Sequence, residues 1–210
     1  MCGSKTGTAD KMKSLPYKEL IGCILYCCLT RPDICAIISE LAKYTADPGM
    51  PMWRAGLHLL KYLHSTSSMG LVFNPSSPTS QGDFRGFSDS GFNGSKDTVR
   101  SRCGHLVYFR SCLVGFKSLI QRATALSSCE AEYMAATQLT KDVVFFRMFA
   151  SELGFPQKVP TQLAIDNKAA IAMTQSRMMT CRTRHMRRRE HYVREQAAEQ
   201  SGAPVVRVLP

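Results

Sequence analysis

Apolar residues recur every three or four positions in the first third of the chain, and this spacing predicts three short helices. The first begins after Pro16, and Pro32 suits the first turn of the second. The repeating apolar positions of the three helices are, in order, Leu20, Ile24 and Cys27; Ile34, Ile37, Ile38, Leu41 and Ala42; and Trp53, Leu57, Leu60 and Leu63. We therefore expect a small helical element over residues 16–73, preceded by a polar, disordered segment at 1–15.

The pattern changes after a stretch rich in serine, proline and glycine at residues 74–82, which is typical of a linker. Alternation of apolar and polar residues then predicts strands at 84–89, 105–109, 113–117, 162–165 and 204–209. Helical spacing predicts helices at 128–153, 169–174 and 187–200. Strands followed by alternating helices and strands indicate an α/β domain over residues 83–210, with a mixed sheet flanked by helices.

The longest predicted helix carries recognisable start and stop signals. Ser127 and Glu130 have the spacing of a capping box, in which the serine caps the helix and the glutamate reaches back. Gly154 follows the last helical positions, and Pro156 lies just beyond it.

Composition places the chain among soluble, basic proteins. It has 210 residues and a formal net charge of +11, with no apolar run of membrane-spanning length and no signal-type start. We expect a cytoplasmic or nuclear protein that is not secreted and has no membrane partner. Its nine cysteines include no C-x-x-C pair. The group Cys23, Cys27, Cys28 and Cys35 could bind a metal, but its apolar neighbours favour buried, reduced thiols.

Three acidic residues have contexts that suit metal chemistry. Asp89 ends one apolar run, Glu132 lies on the helix opened by Ser127, and Asp166 ends another apolar run. Carboxylates at two strand ends and on one helix can converge on a pair of divalent ions for attack on a phosphodiester. Taken singly, each could be structural, and Asp166 with Asn167 could simply start the next helix.

Arginines are concentrated near the C-terminal end. Seven arginines and one glutamate lie between positions 177 and 194. Fixed guanidinium groups bind phosphate backbones and release their counterions, so this segment predicts contact with nucleic acid. A solvated helix face or a nuclear-import signal would have the same composition. The candidate nucleic-acid-binding residues are Arg182, Arg184, His185, Arg187, Arg188, Arg189 and Arg194.

Six ordered motifs resemble the C-terminal part of the Pol polyprotein of copia-type LTR retrotransposons. Two of them, Thr30-Arg31-Pro32-Asp33-Ile34 and Trp53-x-Ala55, are similar to the end of the reverse transcriptase region. The others resemble successive landmarks of the linked ribonuclease H domain and follow in family order. They are Gly86-Phe87-Ser88-Asp89-Ser90, Leu126 to Ala135, Asp166 to Ile171, and Arg182 to Glu195.

The resemblance implies an RNase H-like fold and cleavage of the RNA strand in RNA–DNA hybrids. It implies that Asp89, Glu132 and Asp166 are the catalytic carboxylates and bind two Mg²⁺ or Mn²⁺ ions. The RNA–DNA hybrid is the implied partner, and the reverse transcriptase portion of the same polyprotein is a further candidate. Glu132 matches the family position, whereas Glu130 is better explained as the capping partner.

Three departures from the family pattern accompany this resemblance. An acid expected after the last strand is lacking before Pro210, Arg187 stands where the family usually has an aspartate, and Gly91 replaces a second aspartate. We therefore expect a C-terminally truncated domain with reduced or lost turnover. The alternative is a catalytically inactive remnant that still binds nucleic acid. His105, His185 and His191 are weaker candidates for a general base.

Overall fold

The computed structural model describes residues 15–74, 84–91, 100–175, 192–197 and 205–209. By its internal contacts the chain divides into two compact units, Met1–Leu71 and Val72–Pro210. The predicted segment 1–15 and the predicted linker 74–82 lie almost entirely outside the described residues.

The first unit contains the three predicted helices. They are α1 (Tyr17–Cys27), α2 (Cys35–Leu41) and α3 (Met50–Ser65). Pro32 does begin a helical turn, but Pro32–Ile34 is a 3₁₀ turn, and α2 starts only at Cys35. The buried core of the unit is formed by Tyr17, Ile21, Ile24, Ile34, Ile38, Leu41 and Leu59.

Three positions that we assigned to the repeating apolar pattern are exposed instead. Ile37, Leu57 and Leu60 all lie on the solvent side of their helices, and Leu59 is the buried leucine of α3. Because α3 carries apolar residues on more than one side, spacing alone does not identify which stripe packs inward.

The described cysteines of the first unit, Cys23, Cys27, Cys28 and Cys35, are reduced, as expected, but they are not fully buried. Cys27 and Cys28 pack against the core, whereas Cys23 is exposed. The carbonyl of Cys23 accepts a hydrogen bond from the Cys27 thiol at 3.5 Å. Among the described residues, these thiols do not form a metal-binding group.

The second unit is a five-stranded mixed sheet with helices. The strands are β1 (Phe84–Gly91), β2 (Arg102–Phe109), β3 (Cys112–Ile120), β4 (Thr161–Ile165) and β5 (Val206–Leu209). Their spatial order is β3-β2-β1-β4-β5, with β1 parallel to β4 and antiparallel to β2. This arrangement confirms the predicted α/β class and is that of an RNase H-like fold.

The helices of this unit are α4 (Ser128–Glu152), α5 (Lys168–Gln175) and α6 (Tyr192–Ala197). All three contribute to one buried cluster, in which Tyr133 and Leu139 of α4 pack against Val107 and Leu163 of the sheet. The helix predicted at 187–200 is helical in its described part, 192–197, and its ends lie outside the described residues.

The ends of α4 follow the local signals with one difference. Ser127 Oγ accepts a hydrogen bond from the Glu130 N–H at 3.2 Å, as in a capping box. The Glu130 carboxylate, however, accepts from the Leu126 N–H at 2.8 Å, one residue before the cap. Gly154 has φ +86°, and the Phe155 N–H returns to the Ala150 carbonyl, which completes a Schellman stop.

Candidate metal centre

Asp89 and Asp166 lie side by side because β1 and β4 are parallel neighbours. Ser88 pairs with Ile165 in the register, so the next residue on each strand is an aspartate. The carboxyl ends of adjacent parallel strands meet at the same edge of a sheet. Both aspartates are exposed there.

Glu132 reaches the same edge from the first turns of α4. Its side chain is buried, with a relative exposure of 5%. Its Oε1 accepts a hydrogen bond from the backbone N–H of Ser90 at 2.8 Å, and the same N–H lies 2.8 Å from Asp89 Oδ1. The end of β1 and the start of α4 are therefore joined by one shared backbone donor.

Gln121 supports this junction from the chain just after β3. It is buried, and its Nε2 donates to the carbonyl of Ala131 at 2.7 Å and to Ser90 Oγ at 3.4 Å. Neither Gln121 nor the Ser90 N–H was identified from the sequence. A single glutamine forms no recognisable sequence motif, and every residue except proline has a backbone N–H, so the residue type does not reveal this donor.

The three carboxylates converge. Each of Asp89, Glu132 and Asp166 offers one oxygen, and these oxygens lie within 4.8 Å of one another. Burial, opposed by the Ser90 hydrogen bond and reinforced by the charges of Asp166 and Asp89, raises the pKa of Glu132 to about 7. Repulsion among the three carboxylates therefore destabilises the folded protein, and binding of a proton or a cation reduces this repulsion.

The donor set fits a hard divalent cation. All three groups are carboxylates, which Mg²⁺ and Mn²⁺ prefer as ligands. Within the described residues, Glu132 Oε2 is buried and has no hydrogen-bond partner, so it is an oxygen whose lone pairs remain to be satisfied.

The helix that follows Asp166 is capped by Asn167 and not by Asp166. The side-chain oxygen of Asn167 accepts from the N–H groups of Ala169 and Ala170 at 3.0 and 3.1 Å, so Asn167 caps α5. Asp166 is not needed for that role, and its carboxylate lies with the other two.

Of the predicted nucleic-acid-binding residues, only Arg194 falls in the described chain. It lies on α6, and its Nε and Nη2 donate to the Met173 carbonyl at 3.3 and 3.1 Å. This contact ties α6 to α5 and occupies part of the guanidinium group. Arg182, Arg184, His185, Arg187, Arg188 and Arg189 lie outside the described residues.

His105 is not part of the carboxylate cluster. It is buried on β2, and its Nε2 lies 2.7 Å from Oδ2 of Asp142 on α4. Asp142 also accepts from Lys117 Nζ at 2.8 Å. This arrangement joins β2, β3 and α4 and is best explained as structural. His185 and His191 lie outside the described residues.

Several known proteins are similar to this chain. It is 31% identical over 202 residues to the retrovirus-related Pol polyprotein from transposon TNT 1-94 of Nicotiana tabacum, covering 96% of this chain and 15% of that protein. It is 27% identical over 187 residues to the Pol polyprotein from transposon RE2 of Arabidopsis thaliana, covering 89% of this chain and 12% of that protein. It is also 36% identical over 135 residues to secreted RxLR effector protein 161 of Plasmopara viticola, covering 64% of this chain and 93% of that protein. No protein-family model matches the chain.

The strand order and the carboxylate edge define a protein with an RNase H-like fold. The chain belongs to the family of retrovirus-related Pol polyproteins from copia-type transposons. It spans 15% of the length of the tobacco relative and 12% of that of the RE2 relative. Within the described residues, no helix is long and apolar enough to cross a membrane.

Proposed function

We propose that the second unit is a metal-dependent ribonuclease that cleaves the RNA strand of RNA–DNA hybrids. The observation that carries this proposal is the convergence of Asp89, Glu132 and Asp166 within 4.8 Å at the end of two parallel strands. The similarity to retrovirus-related Pol polyproteins from transposons agrees with it.

The exposed and the buried carboxylates have different roles in the proposed site. Asp89 and Asp166 present exposed oxygens to the solvent side, where a phosphodiester can approach. Glu132 provides the buried ligand, and the Ser90 N–H holds its Oε1 so that Oε2 is directed away from that bond. Divalent cations bound there would activate a water molecule and stabilise the leaving 3′ oxygen, and the new end would carry a 5′ phosphate.

Cleavage of a hybrid with labelled RNA, in the presence of Mg²⁺ or Mn²⁺, tests the proposal. Because of the departures from the family pattern we expect slow RNA cleavage in the hybrid, none in single-stranded RNA, and loss of that activity in Asp89→Asn. Glu152→Gln, which neutralises an exposed glutamate at the other end of α4, is the matched control and should retain activity. Equal cleavage by wild type and Asp89→Asn would indicate a contaminating nuclease and contradict the assignment.

Binding without cleavage is the competing outcome of the same experiment. It would be recognised by salt-dependent hybrid binding that survives Asp89→Asn and weakens when Arg187, Arg188 and Arg189 are neutralised. In that case the chain is a nucleic-acid-binding remnant. A contact with the polymerase portion of the same polyprotein remains a prediction from the resemblance.

A further inference from the structure

The sheet of the second unit has one face that none of the described helices of that unit covers. Helices α4, α5 and α6 all join the single core cluster, which includes Phe84, Val107 and Leu163. Side chains of alternate residues on each strand point to the opposite face. Residues that point there include Arg85 and Phe87 of β1, Leu106 and Tyr108 of β2, and Arg207 of β5.

The register arranges this open face in rows that cross the strands. One row is largely polar and basic and consists of Leu113, Tyr108, Arg85, Gln162 and Arg207. The next row is apolar and consists of Phe116, Leu106, Phe87, Ala164 and Leu209. Asp89 lies one row further, so rows of basic, apolar and acidic character follow each other at about 7 Å, the repeat of two strand residues.

Phe87 is the prominent side chain of the apolar row. It is 43% exposed although it is a large aromatic residue in the middle of a strand. Tyr108 supports it edge-on, with the two ring centroids 5.8 Å apart and an interplanar angle of 86°. Next to the two rings is an open cavity of about 420 Å³, lined by Arg85, Phe87, Leu106, Tyr108 and Ser111.

The charges of the face identify the kind of ligand. A docked protein helix would need a broad apolar surface, whereas this apolar row is flanked by the row that carries Arg85 and Arg207. Arg85 lies one row from Phe87 on the same strand, and Arg207 lies in the row of Arg85 but two strands away. The two arginines are therefore placed to contact different backbone phosphates of a strand whose base stacks on the ring. An exposed aromatic face beside arginines is the combination that binds unpaired nucleotides.

We propose that the open face of the sheet binds single-stranded nucleic acid, with a base stacked on Phe87 and adjacent phosphates held by Arg85 and Arg207. Bases paired in a duplex do not expose their rings, so this site selects unpaired nucleotides. It is therefore distinct from recognition of the paired hybrid at the carboxylate edge, and it does not depend on the proposed cleavage.

Fluorescence anisotropy with a short labelled oligothymidylate, in low salt and with EDTA to exclude metal binding, tests this site. Phe87→Ala should weaken binding at least about fivefold, because one stacked base is worth on the order of 1–3 kcal/mol. The matched control is Phe145→Ala, which removes a 62%-exposed phenylalanine from α4 and should leave the affinity unchanged.

The arginines are tested by the salt dependence of the same binding. Removing Arg85 and Arg207 together should reduce the slope of log K against log salt by about 1.4, since each phosphate contact in a single strand contributes about 0.7. Arg54→Ala, which removes an exposed arginine from α3 in the first unit, is the charge control.

Three results would overturn the proposal. The first is an affinity that Phe87→Ala and Phe145→Ala change equally, and the second is wild-type protein that does not bind the oligonucleotide. The third is a change of oligomeric state in Phe87→Ala at unchanged affinity, which would make the face a protein contact. Hybrid cleavage, measured in parallel with metal, can succeed or fail independently of these results.

Discussion

The backbone N–H of Ser90 lies 2.8 Å from Oε1 of Glu132, a residue 42 positions away in the chain. This bond fixes the start of α4 against the end of β1. It also satisfies only one of the two oxygens of a buried carboxylate, and the second has no hydrogen-bond partner among the described residues. The pair is thus pre-organised and incompletely satisfied, as expected of a ligand-binding group.

Metal binding should be measurable as thermal stabilisation, independent of catalysis. Mn²⁺ at a hundredfold excess over its dissociation constant should stabilise the wild type by about 2.7 kcal/mol, because the ion binds only the folded state. Asp89→Asn and Glu132→Gln should lose most of this effect. They should also be at least as stable as wild type without metal at pH 8, since one of three repelling carboxylates is gone.

Glu152→Gln serves again as the control for that measurement and should respond to Mn²⁺ like the wild type. A rise of the unfolding midpoint of the same size in Asp89→Asn would show that the ion binds elsewhere. The three converging carboxylates would then not form a metal site.

A side chain at position 86 should destabilise the fold, because α4 packs directly over Gly86. A Cβ there would lie 2.8 Å from Leu163 Cδ2 and 3.0 Å from both methyl groups of Leu139. Both leucines are fully buried and have little room to move. We expect Gly86→Ala to lower the free energy of unfolding by about 1–3 kcal/mol in urea denaturation.

Gly104 on the adjacent strand provides the comparison for Gly86. A Cβ at Gly104 would make one ordinary contact, 3.8 Å from the Lys117 carbonyl oxygen. Gly104→Ala should therefore change stability little. If both substitutions had the same effect, the loss of strand flexibility rather than the packing of α4 would be responsible.

Stability in acid should depend on Asp142. Burial alone would raise the pKa of this carboxyl group, but the hydrogen bonds from His105 and Lys117 outweigh it and lower the pKa below its usual value. A lowered pKa in the folded state contributes stability above the unfolded value of about 3.9, and this contribution is lost as the pH falls through the folded pKa. Asp142→Asn should cost about 1.5–3 kcal/mol at pH 7.

The difference between wild type and Asp142→Asn should shrink as the pH falls from about 4 through the lowered pKa of the folded state, because the wild-type carboxylate then becomes protonated too. Chemical denaturation at a series of pH values measures this convergence. The exposed Asp47→Asn is the control and should follow the wild type throughout. A difference that is constant from pH 7 to pH 3 would contradict the charge-based explanation.

We expect that lysine cannot replace Arg31 without loss of stability of the first unit. Its guanidinium group donates to Asp33 Oδ1 at 3.0 Å and Oδ2 at 2.7 Å, and to the Thr66 carbonyl and hydroxyl at 3.0 and 2.7 Å. It thereby joins the turn before α2 to the end of α3. A lysine has one ammonium group and cannot form this fork, so Arg31→Lys should lower the unfolding midpoint.

The matched substitution for Arg31 is Arg54→Lys on the exposed side of α3, which should leave the midpoint of thermal unfolding unchanged. Circular dichroism at 222 nm follows the loss of helix, to which the helices of both units contribute. Equal midpoints for the two variants would mean that the fork contributes nothing beyond its charge.

The local features of this protein could be predicted from its sequence because they depend on residues a few positions apart. The Ser127 cap and the Gly154 stop delimit α4 through bonds within one turn. The three candidate acids were recognisable for the same reason, since each lies at or near the end of a local element. The residue spacing also predicted the α/β class and its strands.

Only the tertiary structure decided which of these features meet. The exposure of Leu57 and Leu60 depends on which side of α3 packs inward, and the sequence of α3 has more than one apolar stripe. The carboxylates meet because β1 and β4 pair in parallel with Ser88 opposite Ile165. The rows of Arg85 and Phe87 on the open face follow from the same registers. Contacts between segments far apart in the chain are set by register and packing, which no short stretch of sequence specifies by itself.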